Sequence, residues 1–225
     1  MLQKKASGVR TALLYWEDPY VKSFKARVVR VEGNRVALDR SCFYPRGGGQ
    51  VGDTGFIENM KVVDTSKDDE GTVWHVLEKE CPFSESQEVS GVLDWDRRYR
   101  TMRLHSAAHI VYYMMERVYG LECKPASSGI VDPLKDRSDY LFSQSIDKAK
   151  LKELEELSNR FVAENKPITT WTDEKGRRHW LTEGLPEMFC GGTHVKNTSE
   201  IGRVAVRRGS KPGAGKERIE ITLAE

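Results

Sequence analysis

The stretch DWDRRYRTMRLHSAAHIVYYMMERVYG, residues 94–120, marks a change of periodicity in the chain. Its apolar and aromatic residues recur at helical spacing, Asp94 or Asp96 can cap the amino end, and Gly120 stands where the pattern stops. The stretch therefore predicts a helix of about 25 residues.

The residues before this helix have the pattern of short strands joined by turns. SFKARVVRVEGNRVALD, residues 23–39, holds β-rich runs that meet at Gly33 and Asn34, which is a hairpin signal. KVVDTSKDDEGTVWHVLEKE, residues 61–80, repeats this pattern around a polar turn. The series predicts a small β-barrel or sandwich, and we expect a β-barrel domain over residues 1–90.

The residues after the long helix predict a mixed structure. SIDKAKLKELEELSNRFVAENKP, residues 145–167, has an apolar stripe at helical spacing, with Asp147 near its start and Pro167 at its end. Strand patterns follow at residues 168–172, 202–208 and 218–223. The predicted fold class is α+β, with helices packed on an antiparallel sheet in a second domain over residues 91–225.

Composition excludes several classes of protein. Of the 225 residues, 38% are hydrophobic and 31% are charged, as in an ordinary globular protein. No apolar run reaches the roughly 18 residues of a membrane span, and the amino end lacks a signal peptide. The 4 cysteines show no paired spacing that would indicate a disulfide scaffold. We therefore expect a cytoplasmic protein that does not associate with a membrane; the net charge of +2 neither favours nor excludes a nucleic-acid partner.

Two pairs of residues have the spacing of metal ligands. His105 and His109 lie four residues apart within the predicted helix, so their imidazoles share one face about 5 to 6 Å apart. Cys190 and His194 flank two glycines and a threonine in FCGGTHV, residues 189–195, which is typical of a tight loop. Thiolate and imidazole are ligands that Zn²⁺ prefers, so the four residues together predict one shared zinc site.

The sequence around His105 and His109 argues against one class of zinc enzyme. It reads HSAAH and lacks the glutamate that a zincin motif supplies as a general base, which disfavours a metalloprotease. A site with four protein ligands is usually structural, whereas a catalytic zinc keeps a position open for water or substrate. The residues alone leave both possibilities open.

A glycine-rich stretch, CFYPRGGGQVGDTG, occupies residues 42–55. Gly47, Gly48 and Gly49 remove every side chain from one backbone segment, and the amide of Gln50 can both donate and accept hydrogen bonds. The segment predicts either a close approach to a ligand or a tight turn between strands. It is not a P-loop, because no Gly-Lys-Ser/Thr sequence ends it.

Four motifs carry a resemblance to a known family. FYPRGGGQVGDTG (43–55), MRLHSAAH (102–109), CGGTHV (190–195) and GRVAVRRGSKPGAGKERIEI (202–221) occur in this order. Their order and spacing resemble the editing domain of alanyl-tRNA synthetase and its free-standing relatives, the AlaX proteins. The resemblance spans residues 10–223, and it is closest to the medium-length AlaX form, which has a glycine-rich barrel domain and a zinc editing core.

The resemblance implies a function and assigns site residues. It implies a zinc-dependent hydrolase that removes serine, and also glycine, from wrongly charged tRNA(Ala). The implied zinc ligands are those that the spacing predicts, and Gly47, Gly48, Gly49 and Gln50 would lie beside the editing pocket. The family more often has threonine at the position of Ser106, so a hydroxyl is kept here and a methyl group is lost.

Basic residues supply candidate phosphate contacts for a tRNA partner. We expect these contacts from arginines of the long helix and from the carboxyl-terminal strands, because such clusters give salt-dependent affinity for nucleic acid. The candidates are Arg97, Arg100, Arg103, Arg207, Arg208, Lys211 and Lys216. The alternative is solvated surface charge, since acidic residues lie nearby in the sequence.

Two other functions compete with alanine-tRNA editing. The editing domain of threonyl-tRNA synthetase resembles the same core, so the substrate could be mischarged threonine tRNA. A zinc-stabilised module that binds tRNA without catalysis belongs to another class and would need only a closed structural site. The sequence leaves the oligomeric state undetermined.

Overall fold

The structure is a computed structural model, and it describes residues 10–120, 123–126, 129–141, 146–213 and 215–224. Packing of the backbone divides the chain into two compact units. The first unit contains the described residues up to 47 and residues 52–98, and the second contains residues 48–51 and the described residues from 99 onward. The domains 1–90 and 91–225 remain a prediction; the units differ from them at residues 48–51 and 91–98.

The first unit is a closed antiparallel barrel, as predicted. Its strand order is β2-β3-β7-β6-β5-β8, and the predicted hairpin joins β2 to β3 through Gly33, whose φ of 58° suits glycine. The described elements of this unit are β1 (Ala12–Leu13), α1 (Leu14–Glu17), β2 (Ser23–Glu32), β3 (Arg35–Leu38), β4 (Arg40–Ser41), β5 (Gly55–Ile57), β6 (Met60–Lys67), β7 (Val73–Leu77) and β8 (Glu88–Leu93). Side chains such as Val36, Phe43, Ile57 and Leu77 fill its interior.

A buried ion pair fixes the start of the long helix in the first unit. The guanidinium of Arg98 donates hydrogen bonds to the carboxylate of Asp53 and to the backbone carbonyls of Pro19 and Cys42. Arg98 and Asp53 are both almost fully buried. Removing one partner would leave an uncompensated charge, at a cost of about 3 to 5 kcal/mol.

The second unit is α+β, which confirms the predicted fold class. The long helix, α2 (Trp95–Tyr119), has the predicted length of 25 residues, and Asp147 caps α3 (Lys148–Ala163) by accepting a hydrogen bond from the amide of Ala149. The remaining elements are β9 (Lys124–Pro125), β10 (Ile130–Val131), β11 (Asp136–Leu141), β12 (Ile168–Thr172), β13 (Arg178–Thr182), β14 (Met188–Phe189), a 3₁₀ turn (Thr198–Ile201), β15 (Val204–Arg208) and β16 (Lys216–Leu223).

Two antiparallel sheets build the second unit. One has the order β10-β11-β16-β15, with β9 also paired to β11, and the other has the order β12-β13-β14. Helix α3 covers β15, because Asn159 exchanges hydrogen bonds with the backbone of Val204 and Glu155 accepts one from the amide of Val206. The predicted apolar stripe is buried at Leu154 and Phe161. None of the described helices combines the length and the apolar character that crossing a bilayer requires.

His75 is predicted to make the barrel sensitive to acid. Its ring is fully buried between the hydroxyl of Ser41 and the carbonyl of Val36, and burial lowers the pKa of this histidine to about 4 from an ordinary 6.5. Between these two pKa values His75 is protonated in the unfolded chain and neutral in the folded chain. The free energy of unfolding therefore decreases as the pH falls from about 6.5 towards 4.

A His75→Gln variant isolates this effect, because its amide keeps hydrogen-bonding capacity but does not titrate. We expect the free energy of unfolding of the wild type to fall by about 2.5 kcal/mol more than that of the variant between pH 7 and pH 4.5. Urea unfolding at both pH values measures the difference. Parallel pH dependence of the two proteins would show that His75 does not carry it.

Candidate metal centre and adjoining cavity

The two predicted ligand pairs meet in the second unit. His105 and His109 project from one face of α2, and Cys190 and His194 come from the loop after β14. One ligand atom from each of the four residues lies within 4.8 Å of the others. The sequence spacing therefore predicted a true cluster of four metal-ligating side chains.

Hydrogen bonds orient two of the histidine rings. The amide oxygen of Gln50 accepts from Nδ1 of His105 at 2.8 Å and from the backbone amide of Thr193 at 3.0 Å. Nδ1 of His105 therefore carries the hydrogen, and its Nε2 keeps a lone pair. Nδ1 of His194 contacts the Ser106 hydroxyl at 3.2 Å, so Nε2 is the ring nitrogen of His194 that faces the cluster.

The free ligand atoms point at one another. The Cys190 sulfur lies 3.2 Å from Nε2 of His194 and 3.5 Å from Nε2 of His105. Nε2 of His109 is buried and finds no hydrogen-bond partner in the part of the chain that the structure describes, while the indole of Trp180 packs edge-on against its ring with centroids 5.0 Å apart. Three imidazole nitrogens and one sulfur, one of them an orphaned buried atom, fit the coordination of Zn²⁺.

Burial sets the protonation states at the cluster. It lowers the pKa of His105 to about 4 and the pKa values of His109 and His194 well below 6.5, so all three rings are neutral and able to ligate. It raises the pKa of the Cys190 thiol to about 11. A buried thiolate needs a neighbouring cation, and a bound dication would supply it while a proton is released.

The cluster borders a cavity and is therefore not closed on all sides. The cavity has a volume of about 570 Å³, within the usual range for small-molecule sites. His105, His109 and Cys190 contribute to its wall, and so do Gly48 and Gly49 of the glycine-rich stretch. A reacting group in this cavity would lie directly beside the ligand atoms.

The predicted pocket residues fall into two groups: some line the cavity, and others contact the histidines. Gly48 and Gly49 line the cavity and have positive φ angles of 55° and 85°, which favour glycine, whereas the described lining does not include Gly47. Gln50 and Ser106 are buried, and the contacts described above hold the histidines. Direct contact of Gln50 or Ser106 with a substrate remains a prediction.

Several of the side chains that are predicted to contact tRNA already form hydrogen bonds or ion pairs within the protein. Arg97, Arg100 and Arg103 each donate a hydrogen bond to a backbone carbonyl, those of Gly52, Pro133 and Ile201 respectively. Arg208 pairs with the buried carboxylate of Glu217, and Lys211 lies 3.6 Å from the same group. Arg207 and Lys216 are exposed on neighbouring strands.

Sequence reasoning missed one acidic residue of the cavity wall. Asp136 begins β11, and it is fully buried with one carboxylate oxygen that has no hydrogen-bond partner among the described residues. Burial raises the pKa of this carboxyl to about 7, although the hydroxyl of Ser138 donates to its other oxygen. A single aspartate in a polar stretch gives no sequence signal for such an environment.

Gln50 is predicted to hold His105 in its ligating orientation. Replacing it with alanine leaves Nδ1 of His105 and the amide of Thr193 without their acceptor, and we expect zinc affinity to fall about 10- to 100-fold. Chelator competition on the purified variant measures this loss. Gln87→Ala, which changes an exposed glutamine of the barrel unit, is the matched control. Unchanged affinity in Gln50→Ala would contradict the prediction.

Family models match two parts of the chain. The model described as the threonyl and alanyl tRNA synthetase second additional domain matches residues 184–220, which include Cys190 and His194. The model described as class II (A) tRNA synthetases matches residues 15–97, most of the barrel unit. Together with the fold and the site, these matches define a protein that contains domains of the kind found in tRNA synthetases.

Full-length relatives identify the family within that class. An alanyl-tRNA editing protein AlaX-M of Pyrococcus horikoshii is 36% identical over 95% of this chain and 98% of its own length. Another AlaX-M, from Saccharolobus solfataricus, is 34% identical over 95% of this chain and 99% of its own length. The chain belongs to the AlaX-M family, which confirms the resemblance found in its motifs.

Longer proteins share the same region. The alanine–tRNA ligase of Thermococcus kodakarensis is 36% identical over 96% of this chain, and the match covers 26% of the ligase. The chain therefore corresponds to about a quarter of that enzyme.

Proposed function

We propose that this protein is a hydrolase that edits alanine tRNA by removing wrongly attached serine, and also glycine. One observation carries the proposal: the cluster of three histidines and one cysteine borders a cavity large enough for an aminoacyl ester. The names of the AlaX-M relatives support the assignment to alanyl-tRNA editing.

The proposed substrates follow from the limited ability of a binding pocket to distinguish similar amino acids. A pocket built for alanine cannot exclude the smaller glycine, and it discriminates only weakly against a side chain that adds a hydroxyl. A second hydrolytic site is the general solution to such an error. We therefore propose seryl and glycyl esters of tRNA(Ala) as the substrates.

The proposed cofactor is one Zn²⁺ ion held by His105, His109, Cys190 and His194. A zinc ion at a site of this kind polarises a carbonyl, activates water or positions the substrate. The chain itself contributes neutral imidazoles, fixed by Gln50 and Ser106. The glycine backbone at Gly48 and Gly49 gives the ester room to approach.

The test is release of serine from Ser-tRNA(Ala) by the purified protein, with bound zinc quantified in the same sample. Ala-tRNA(Ala) is the control for selectivity, and Ser-tRNA(Thr) is the control for the identity of the tRNA. Rapid loss of serine from the first substrate alone would support the proposal. One equivalent of zinc without cleavage of any ester would instead indicate a structural metal in an RNA-binding module.

Binding of tRNA is predicted to weaken steeply as salt concentration rises. Arg207 and Lys216 are two exposed candidates for phosphate contacts, so the double change Arg207→Gln and Lys216→Gln should reduce the slope of log affinity against log salt by about 1.5. The matched control replaces the exposed Lys148 and Lys152 of α3 by glutamine. A slope that responds equally to both double variants would rule out the predicted contact surface.

A further inference from the structure

An aromatic ladder crosses the three-stranded sheet beside the metal centre. Trp171 on β12 pairs in register with His179 on β13, and His179 pairs with Phe189 on β14. The rings of Trp171 and His179 are stacked with centroids 4.9 Å apart, and those of His179 and Phe189 meet edge to face at 4.8 Å. The three rings therefore form one continuous contact across the sheet.

The middle ring of the ladder is held rigidly. Both ring nitrogens of His179 are hydrogen-bonded to carboxylates, one to Glu187 and the other to Asp173 at 3.1 Å. These carboxylates raise the pKa of His179 and favour its protonated form. A ring bonded at both nitrogens and stacked on Trp171 gives Phe189 a fixed support.

The last ring of the ladder is supported but not buried. Phe189 is 63% exposed, although the guanidinium of Arg177 lies 4.8 Å from its centroid. An apolar ring that is mostly exposed gains little from hydrophobic burial, so packing in the core does not account for the position of Phe189. Phe189 lines the cavity and directly precedes the ligand Cys190.

The position of this ring matches the chemistry of the substrate. In an aminoacyl-tRNA the ester is carried by the ribose of the terminal nucleotide, so the base of that nucleotide must lie within one nucleotide of the reacting ester. Phe189 and Cys190 are adjacent residues, with Cα atoms about 3.8 Å apart. An exposed aromatic ring at this distance from a metal ligand suits a nucleobase, because base–aromatic stacking is a general mode of single-strand binding.

We propose that Phe189 stacks on the terminal adenine of the tRNA and so positions the aminoacyl ester in the cavity. This inference rests on the proposed editing function. Trp171 and His179 act as positioning residues that hold the Phe189 ring in a fixed orientation for stacking. Arg177, which is paired with Asp173, keeps its guanidinium beside the Phe189 ring.

The test compares RNA minihelices that end either in adenosine or in a ribose without a base, each carrying a seryl ester. For the adenosine-ended substrate, Phe189→Ala and Phe189→Leu should raise the half-saturating concentration on the order of 10- to 100-fold, and Phe189→Tyr should stay near wild type. The rate at saturation should change much less. With the substrate that lacks the base, all the proteins should perform alike.

Phe56→Leu, which changes a phenylalanine that is 48% exposed on the barrel, is the matched control. Zinc content and melting temperature show whether each variant is folded. Wild-type behaviour of Phe189→Leu, or an equal loss on both substrates, would overturn the stacking role.

Binding of the uncharged minihelices separates this inference from the editing function. If the wild type hydrolyses neither ester, the editing function fails, and the stacking role is then judged by affinity alone. A wild-type preference for the adenosine end that disappears in Phe189→Leu supports stacking. Equal affinity of the wild type for both ends overturns it.

Discussion

Replacement of Gly192 by alanine is expected to weaken zinc binding strongly. A Cβ atom at this position would lie 2.2 Å from Cε1 and 2.6 Å from Nδ1 of His105, and 2.8 Å from the amide oxygen of Gln50. His105 is buried on a rigid helix and its ring is already held by Gln50, so it cannot retreat without losing its ligating orientation. We expect zinc affinity to fall at least about 100-fold, measured by chelator competition.

The neighbouring Gly191 provides the matched control. A Cβ atom there would have no described atom outside its own chain neighbours within 4 Å, and the φ angles of Gly191 and Gly192 both lie outside the left-handed region. Gly191→Ala should therefore retain zinc, although both changes add one methyl group to the same loop. Equal zinc affinity in the two variants would show that the close approach of Gly192 to His105 is unimportant.

Replacement of Cys190 by serine is expected to reduce hydrolysis of Ser-tRNA(Ala) by a factor of about 1,000 or more, provided that the proposed function is correct. A serine hydroxyl does not ionise near neutral pH and is a poor zinc ligand, so the site would lose both its anionic ligand and the several kcal/mol of charge stabilisation that a metal supplies. Single-turnover deacylation together with zinc content measures the effect.

Cys81→Ser is the control for this change, because Cys81 is a partly buried thiol of the barrel unit and is not one of the four predicted ligands. It should keep both zinc and activity. His105→Ala provides a second test of the ligand set. Wild-type hydrolysis by His105→Ala with zinc absent would contradict the assignment of this centre to catalysis.

The parts of the fold and site that were predictable are those governed by short spacings. The period of residues 94–120 gave α2 its bounds, and the turn at Gly33 located the first hairpin of the barrel. His105 and His109 are four residues apart on a helix, so helical geometry alone places them on one face, and Cys190 and His194 are close because one short loop holds both. Because thiolate and imidazole are both ligands that zinc prefers, the two pairs were predicted to share one ion.

The parts that were not predictable depend on contacts between distant residues. Gln50 was expected beside a substrate pocket, yet its amide is used by His105 and Thr193, which lie 55 and 143 residues further along the chain. Arg100 has the appearance of a phosphate contact in sequence, but in the structure it donates to the carbonyl of Pro133. A sequence shows the capacity of such groups to form hydrogen bonds, whereas packing decides which partner satisfies them.

The assignment of residues 48–51 to the second unit makes that unit discontinuous along the polypeptide. Val131 donates to the carbonyl of Gly49 and accepts from the amide of Val51, in addition to the side-chain bonds of Gln50. A fragment obtained by cutting the chain after residue 98 would lack this four-residue insertion and its bonds to β10 and to the ligand loop. Transplanting or truncating the second unit as one contiguous piece is therefore expected to yield a protein with an incomplete cavity wall and a loosely held His105.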